Sequence, residues 1–351
     1  MTPLHRRDRR GSVPPEARPS TASEERVRPV AVVDLPASEV SNILYYGDNL
    51  DVLRRHVRDE SVDLVYLDPP YGVGATMTAR LSAGQARRRG IAGSGPLAYE
   101  DRDAPDALVS MLVPRLTAVR ERMSAGATLY LHLDHRAVHE VKVASDRIFG
   151  RGAFLGEVIW APGNGSRGAR RGFSVTHQTI LIYARRADER RQVVYRADDP
   201  ILRESYAETS LSMHFTHKDE AGRVYRERTI GGKVYRYYAD EGRRLGSVWT
   251  DVPAMVANTP LRRESTGYPT QKPERLLERI VRASSREGDM VADLMCGSGT
   301  TLVVAARLGR RFVGGDKSRL AIEVTGKRLQ KEGVSFRALS PEALDPGALA
   351  R

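Results

Sequence analysis

The run Val62-Asp63-Leu64-Val65-Tyr66-Leu67, followed at once by Asp68-Pro69-Pro70-Tyr71, decides how the rest of the chain is read. The run is short, apolar, β-branched and aromatic, which suits a buried strand. Two prolines then stop it, because neither has an amide hydrogen to continue a ladder. What emerges is a carboxylate, a carbonyl and an aromatic ring at the carboxyl end of a strand, the edge at which open α/β sheets bind ligands. A bare Asp-Pro turn would mean little. The whole tetrapeptide in its context points to a site.

Working outward, Ile43-Leu44-Tyr45-Tyr46 reads as a strand broken by Gly47, and residues 49–56 read as a short helix with Leu50, Val52 and Leu53 on its apolar side. Asp48 falls at that strand-to-helix junction, where an N-cap alone would justify it. After Tyr71, residues 72–103 are rich in Gly, Ser and Ala and contain Arg87-Arg88-Arg89. So long an irregular stretch reads as a functional loop closing over a nucleic acid or as a solvated insert. Residues 108–123 form a helix, 127–133 a strand and 137–149 a helix closed by Gly150, with further strands at 154–160 and 178–184. Such βα alternation argues for a mostly parallel sheet. Between the last two strands lies a basic, glycine-rich loop, 163–172, carrying Arg167, Arg170 and Arg171. It suits phosphate contact, with an exposed hairpin loop as the alternative. His135 and His139 can share a helix face, but Glu140 is not placed as in the zinc-protease motif and no third ligand is evident. No metal is expected.

From 185 to 251 the alternation stops and tyrosines interleave with basic residues, among them Arg226 and Arg236; Gly231-Gly232 is a hairpin signal. This reads as a small β-containing module, either contacting a nucleic acid or merely solvated. The α/β pattern then returns. Pro273 opens a helix to about residue 285, and a strand at 290–294 leads into Cys296-Gly297-Ser298-Gly299-Thr300-Thr301. Residues 302–308 are helical, and a strand at 311–315 ends in Asp316. Strand, glycine loop, helix and strand with a terminal acid make the nucleotide-binding half of a Rossmann-like sheet. The loop is neither G-x-G-x-x-G nor a P-loop, so adenosine attached to a non-phosphate group fits better than a dinucleotide or ATP.

Composition agrees with these readings. In 351 residues, 56 Lys+Arg against 44 Asp+Glu leave a charge of +12, which favours a polyanionic partner. No apolar run approaches the ~18–20 residues that span a bilayer. The single Cys296 excludes an internal disulfide framework. Residues 1–38 read as a disordered basic tail and 336–351 as a C-terminal tail. With no apolar leader, a cytoplasmic protein is expected.

Gly47-Asp48-Asn49, Asp68-Pro69-Pro70-Tyr71, Gly267-Tyr268-Pro269-Thr270-Gln271-Lys272-Pro273 and the Cys296–Thr301 loop occur in one order along residues 42–329. In that order they resemble the β-class DNA amino-methyltransferases of restriction-modification type, which use S-adenosylmethionine. The resemblance implies an α/β fold: a Rossmann-like methyltransferase sheet with circularly permuted motif order, plus a target-recognition module. The catalytic half would be 39–184, the recognition module 185–265 and the cofactor half 266–335. It implies that Asp68, Pro69, Pro70 and Tyr71 are catalytic. It further implies that Asp48, Thr270, Gln271, Lys272, Asp293, Cys296, Gly297, Ser298, Gly299, Thr300 and Asp316 bind the cofactor, Asp316 at the ribose, Asp48 near the adenine and 270–272 near the methionine carboxylate.

Asp rather than Ser at 68 resembles the adenine-N6 enzymes, with N4-cytosine as the alternative. The implied partner is double-stranded DNA, which would make the protein nucleoid-associated; a homodimer and a cognate restriction enzyme are further implied arrangements. One departure stands out. Asp293-Leu294-Met295 replaces the family's usual Asp-Pro-Phe, which leaves a catalytically weakened DNA-binding relative as another reading. Methylation of RNA or of a protein amide is disfavoured by the basic, tyrosine-rich module.

Overall fold

The structure, a computed structural model, describes residues 42–71, 75–79, 95–101, 105–163, 172–255 and 260–340. The expected tail at 1–38 and the arginines at 87–89, 167, 170 and 171 lie outside the described residues.

The chain opens with β1 (Ile43–Tyr46), α1 (Asn49–His56) and β2 (Val62–Leu67). Asp48 does cap α1, its side chain accepting from the Leu50 amide at 2.8 Å. Two strands, β3 (Ala75–Thr78) and β4 (Leu97–Asp101), pair antiparallel within the stretch expected to be an irregular loop. Glycine-rich flanks conceal short strands, whose pairing is settled by partners rather than by local pattern. There follow α2 (Pro105–Arg122), β5 (Met123–Leu133), α3 (Val138–Phe149), β6 (Phe154–Trp160) and β7 (Gln178–Ala184).

Next come β8 (Arg203–Glu204), α4 (Glu208–His214), β9 (His217–Lys218), β10 (Val224–Ile230), β11 (Lys233–Tyr238), β12 (Arg243–Arg244) and β13 (Val248–Trp249). The chain returns with α5 (Glu274–Ser284), β14 (Met290–Asp293), α6 (Thr300–Arg307), β15 (Arg311–Asp316), α7 (Arg319–Lys331) and β16 (Arg337–Leu339). Pro273 stands one place before α5, as its N-cap.

Nine strands form the central sheet in the order β13-β6-β7-β5-β2-β14-β15-β1-β16, and every adjacent pair is parallel except those involving β7. Side-chain alternation along each strand divides the core into two layers. On β2, Val65 and Leu67 face the layer built with α1, α2 and α3. Leu64 and Tyr66 face the layer built with α5, α6 and Leu329 of α7.

Two boundaries differ from expectation. Residues 337–339, placed in a C-terminal tail, pair with β1 and cover what would be an open sheet edge. Val248–Trp249, placed in the separate module, extends the opposite edge beside β6. Trp249 is buried there under the Arg279 guanidinium, 4.8 Å from its ring. A strand of two residues has no periodicity to read.

Topology fixes where a ligand belongs. From β14 the chain proceeds to β15 on one side, whereas β2 is followed in the sheet by β5 on the other. The carboxyl ends of the adjacent β2 and β14 therefore flank the switch point, where the crevice of an open α/β sheet opens. Asp68 follows β2, and Asp293 ends β14.

Candidate active site at the sheet switch point

A cleft lies at that switch point, and its walls include Asp68, Pro70, Asp293, Asp316, Tyr99 and Tyr268. Most residues expected at a site converge here from far-separated parts of the chain. Asp48, Thr270, Gln271, Lys272, Cys296, Gly297, Ser298 and Thr300 line it too.

At the β2 end, the Asp68 carboxylate accepts hydrogen bonds from two side chains: the Tyr71 hydroxyl on Oδ1 and Lys272 Nζ on Oδ2. Lys272 also reaches the Tyr71 hydroxyl at 3.2 Å and sits 5.4 Å from the ring centroid. Asp68 and Lys272 are almost withdrawn from solvent, with side chains 16 % and 8 % exposed. Burial first, and the Asp68 charge second, push the Tyr71 phenol well above its ordinary value, so it stays a donor. Behind them Tyr66 shares a 2.8 Å hydrogen bond with Nδ1 of fully buried His132. Burial and then the Lys272 charge lower that imidazole to about 3, so it is neutral. A neutral imidazole inside the wall is a structural partner, and among the described residues no group of three His, Cys, Asp or Glu is placed to hold a metal.

At the β14 end, burial lifts the Asp293 carboxyl to about 7, against hydrogen bonds from Thr301 and the Met295 amide that pull it down. Leu294 is buried in the core, and its carbonyl accepts from Asn49 Nδ2 at 3.1 Å. The unusual Leu-Met pair therefore does not leave the loop adrift. Cys296 is buried, and burial raises its thiol well above the ordinary range, which makes it no nucleophile.

Gly297 and Gly299 have φ of 50° and 73°. At Gly297 a Cβ would lie 3.1 Å from the Tyr268 ring, and at Gly299 one would lie 2.5 Å from the Thr325 side chain. Both positions need glycine, for backbone conformation and for close approach. Asp316 accepts from the Gly297 amide at 2.9 Å and from the Ser318 amide at 2.8 Å, one on each oxygen. Each oxygen keeps a lone pair for a further donor such as a sugar hydroxyl. A glycine floor, an aromatic wall from Tyr268 and an acceptor carboxylate fit the adenosine portion of S-adenosylmethionine.

Two expected contacts look different in place. Gln271 is bound within its own loop, Oε1 accepting from the Thr266 amide and hydroxyl at 2.9 and 2.8 Å and Nε2 donating to the Glu264 carbonyl. Lys272, expected near a methionine carboxylate, is held on Asp68. Thr270 has φ of 57° and its hydroxyl lies 3.1 Å from the Tyr99 hydroxyl. Asp48, besides capping α1, pairs with Arg115, which also donates to Asn49 at 2.5 Å.

The sequence reading left out Arg115, Asn49, Tyr99 and Tyr268 as site residues. Tyr268 had a signal, its place inside the Gly267–Pro273 stretch. Tyr99 and Arg115 had none. Of the expected nucleic-acid contacts, Arg226 lies 5.1–5.5 Å from the ring centroids of Tyr206, Phe215 and Tyr237, and Arg236 pairs with Glu227 at 3.0 Å.

The family model of the N6/N4 methyltransferases, described as DNA methylase, matches residues 62–327. A type II methyltransferase of Enterobacter cloacae, M.EcaI, is 26 % identical over 324 residues, covering 82 % of this chain and 69 % of the relative. M2.DpnII of Streptococcus pneumoniae is 39 % identical over 126 residues, 34 % of this chain and 45 % of the relative. The DNA adenine methyltransferase YhdJ of Escherichia coli K12 is 23 % identical over 271 residues, covering 77 % and 76 %. Among solved structures, the cytosine-N4-specific PvuII DNA methyltransferase superposes with a TM-score of 0.54 at 12 % identity, covering 86 % of this chain and 95 % of that one. At that identity the likeness is one of fold.

Proposed function

Since the chain belongs to the N6/N4 DNA methylase family, whose methyl donor is S-adenosylmethionine, we propose that it methylates the exocyclic N6 of an adenine flipped out of duplex DNA. The observation that carries the reading is the Asp68 carboxylate, fixed by Tyr71 and Lys272 at the switch-point cleft. Asp at the head of the tetrapeptide resembles the adenine enzymes, and the name of YhdJ supports the same base. The type II relatives support a restriction-modification setting. Residues 185–247, which precede the strand that joins the central sheet, take the role of target recognition.

The donor supplies an electrophilic methyl group bonded to a sulfonium. The chain's own residues must make a poor nucleophile adequate, because the amine lone pair is conjugated with the purine ring. Asp68 and the Pro69 carbonyl accept the two amine hydrogens, draw the nitrogen toward tetrahedral geometry and aim its lone pair. This is positioning and electrostatic preorganisation. Both Asp68 oxygens already hold one donor each, and each has capacity for a second. As the nitrogen gains a methyl group it sheds a proton, for which Asp68 is the acceptor at hand. Flipping the base costs a few kcal/mol. Stacking on Tyr71, worth ~1–3 kcal/mol, offsets much of that.

Labelled S-adenosylmethionine incubated with mixed-sequence duplex DNA, followed by nucleoside digestion and mass analysis, tests the reading. N6-methyladenine is the expected product. N4-methylcytosine would overturn the base and keep the mechanism. Asp68→Ala should retain donor and DNA binding while transfer falls by at least ~10²–10³-fold; retained turnover would remove Asp68 from its role.

A further inference from the structure

We propose that one face of the β10–β11 ribbon, carrying Arg228, Ile230, Lys233 and Tyr235, enters the major groove of duplex DNA. The proposal rests on the reading of the protein as a DNA methyltransferase and names the surface that meets the duplex.

The register sorts the ribbon's side chains onto two faces. Cross-strand partners share a face, and successive pairs alternate. Tyr225↔Tyr238, Glu227↔Arg236 and Thr229↔Val234 lie on one face; Arg226↔Tyr237, Arg228↔Tyr235 and Ile230↔Lys233 lie on the other. Ring contacts agree with this division. Tyr225 meets Tyr238 at 5.7 Å, Arg236 covers Tyr225, and Arg226 covers Tyr237.

The two faces differ in charge. On the first, Arg236 is neutralised by Glu227 at 3.0 Å, and Arg223, which packs over Tyr238 from the same side, is held by Asp240 and Glu241 at 2.9 and 3.0 Å. The second face carries no acid along β10 or β11. At its root Arg226 is half-buried among Tyr206, Phe215 and Tyr237, which fixes the ribbon on the module. Toward the tip Arg228 and Lys233 are exposed, and among the described residues neither is paired with a carboxylate. Unpaired cations on one side only are what a polyanion requires.

The tip also has a suitable shape. Gly231 and Gly232 have φ of 57° and 78°, positive at both central residues of a two-residue turn, as in a type I′ hairpin. The ribbon therefore ends as narrowly as two strands allow, with backbones ~4.8 Å apart. A major groove ~12 Å wide and ~8.5 Å deep admits such a ribbon, whereas the minor groove, ~6 Å wide, does not. Ile230 at 53 % and Tyr235 at 44 % exposure are large apolar groups that no packing within the chain requires. In a groove they meet base edges and thymine methyls.

The test uses the full chain and a fluorescent mixed-sequence duplex, with binding measured across a range of salt. Arg228→Ala with Lys233→Ala should weaken binding at least ~10-fold and lower the slope of log affinity against log salt by roughly 2, since each lost phosphate contact removes ~0.9. Tyr235→Ala should weaken binding with the slope unchanged. Arg236→Ala, on the opposite face, should leave both quantities within about twofold. All variants should bind S-adenosylmethionine as the parent does, which shows that they fold. An unchanged double variant, an unaffected Tyr235→Ala, or an equal loss with Arg236→Ala would overturn the face assignment while the DNA reading stands. A parent chain with no duplex binding would overturn both.

Discussion

Replacing Asp293 with Asn isolates the energetic consequence of putting a carboxyl group at the end of β14. Asp293 is 2 % exposed, and burial raises it to about 7 from an ordinary 3.8. Between those values the folded state binds a proton that the unfolded state does not, so stability falls as pH rises. The contribution is fully present below pH ~4 and is lost as pH passes ~7. Integrated from pH 5 to pH 8, the loss from this one group is roughly 2–3 kcal/mol. Asn keeps the size of the side chain and an oxygen for the Thr301 hydroxyl and Met295 amide, and it does not titrate. Urea denaturation of parent and variant at half-unit steps from pH 5 to pH 8 therefore reads the effect as a difference, in which all other titrating groups cancel. The variant should gain on the parent steadily as pH rises, by roughly 2–3 kcal/mol over that range. A difference independent of pH would refute the argument, because it would mean that Asp293 ionises as easily in the folded chain as in water.

Two further substitutions probe the same cleft. Lys272→Met removes the cation that holds Asp68, and steady-state kinetics should show kcat falling on the order of 10–100-fold while the donor Kd stays within about threefold, as expected when a reacting group is misplaced; a large rise in donor Kd with kcat intact would return Lys272 to the methionine carboxylate. Gly299→Ala sets a Cβ 2.5 Å from Thr325 at φ of 73°, and should lower stability by ~1–3 kcal/mol in urea denaturation, with weaker donor binding.

Patterns that are local in the chain were legible, and those that depend on partners were not. The prolines ending β2, the apolar runs of β6 and β7 and the Gly231-Gly232 turn all signal through neighbours in sequence, and the structure has each where the sequence put it. Most of the residues expected at a site line the switch-point cleft. The misses have the opposite character. Trp249 joins the sheet through a strand of only two residues beside β6. Tyr99 reaches Thr270 across 171 positions, and Arg115 reaches Asp48 across 67. Lys272 sits in a motif that is visible in the sequence, yet the carboxylate it contacts is 204 positions away, so that pairing is seen only in space. Gln271 carries the complementary lesson: a side chain in a motif can be consumed in shaping the loop that bears the motif.

The same distances explain how a site can be assembled from motifs in permuted order. β2 and β14 are neighbours in the sheet, yet well over 200 residues separate them in sequence, so chain connectivity does little to align them. Side chains do that instead. Asp63, inside β2, accepts from Ser124 of β5 at 2.8 Å on one oxygen and from the Met290 amide of β14 at 2.9 Å on the other. Asn49, in the first turn of α1, donates to the carbonyl just beyond β14. The Thr300 hydroxyl, at the start of α6, donates to the Lys272 carbonyl at 3.2 Å, which ties the glycine loop to the residue that holds Asp68. The Asp63–Met290 and Asn49–Leu294 bonds join the half that carries Asp68 to the half that carries Asp316. With such stitches in place, the order in which the two halves are encoded matters little to the geometry, because the reacting edge is defined by parallel strands meeting at a switch point. The stretch between the halves is then free to vary without disturbing that edge.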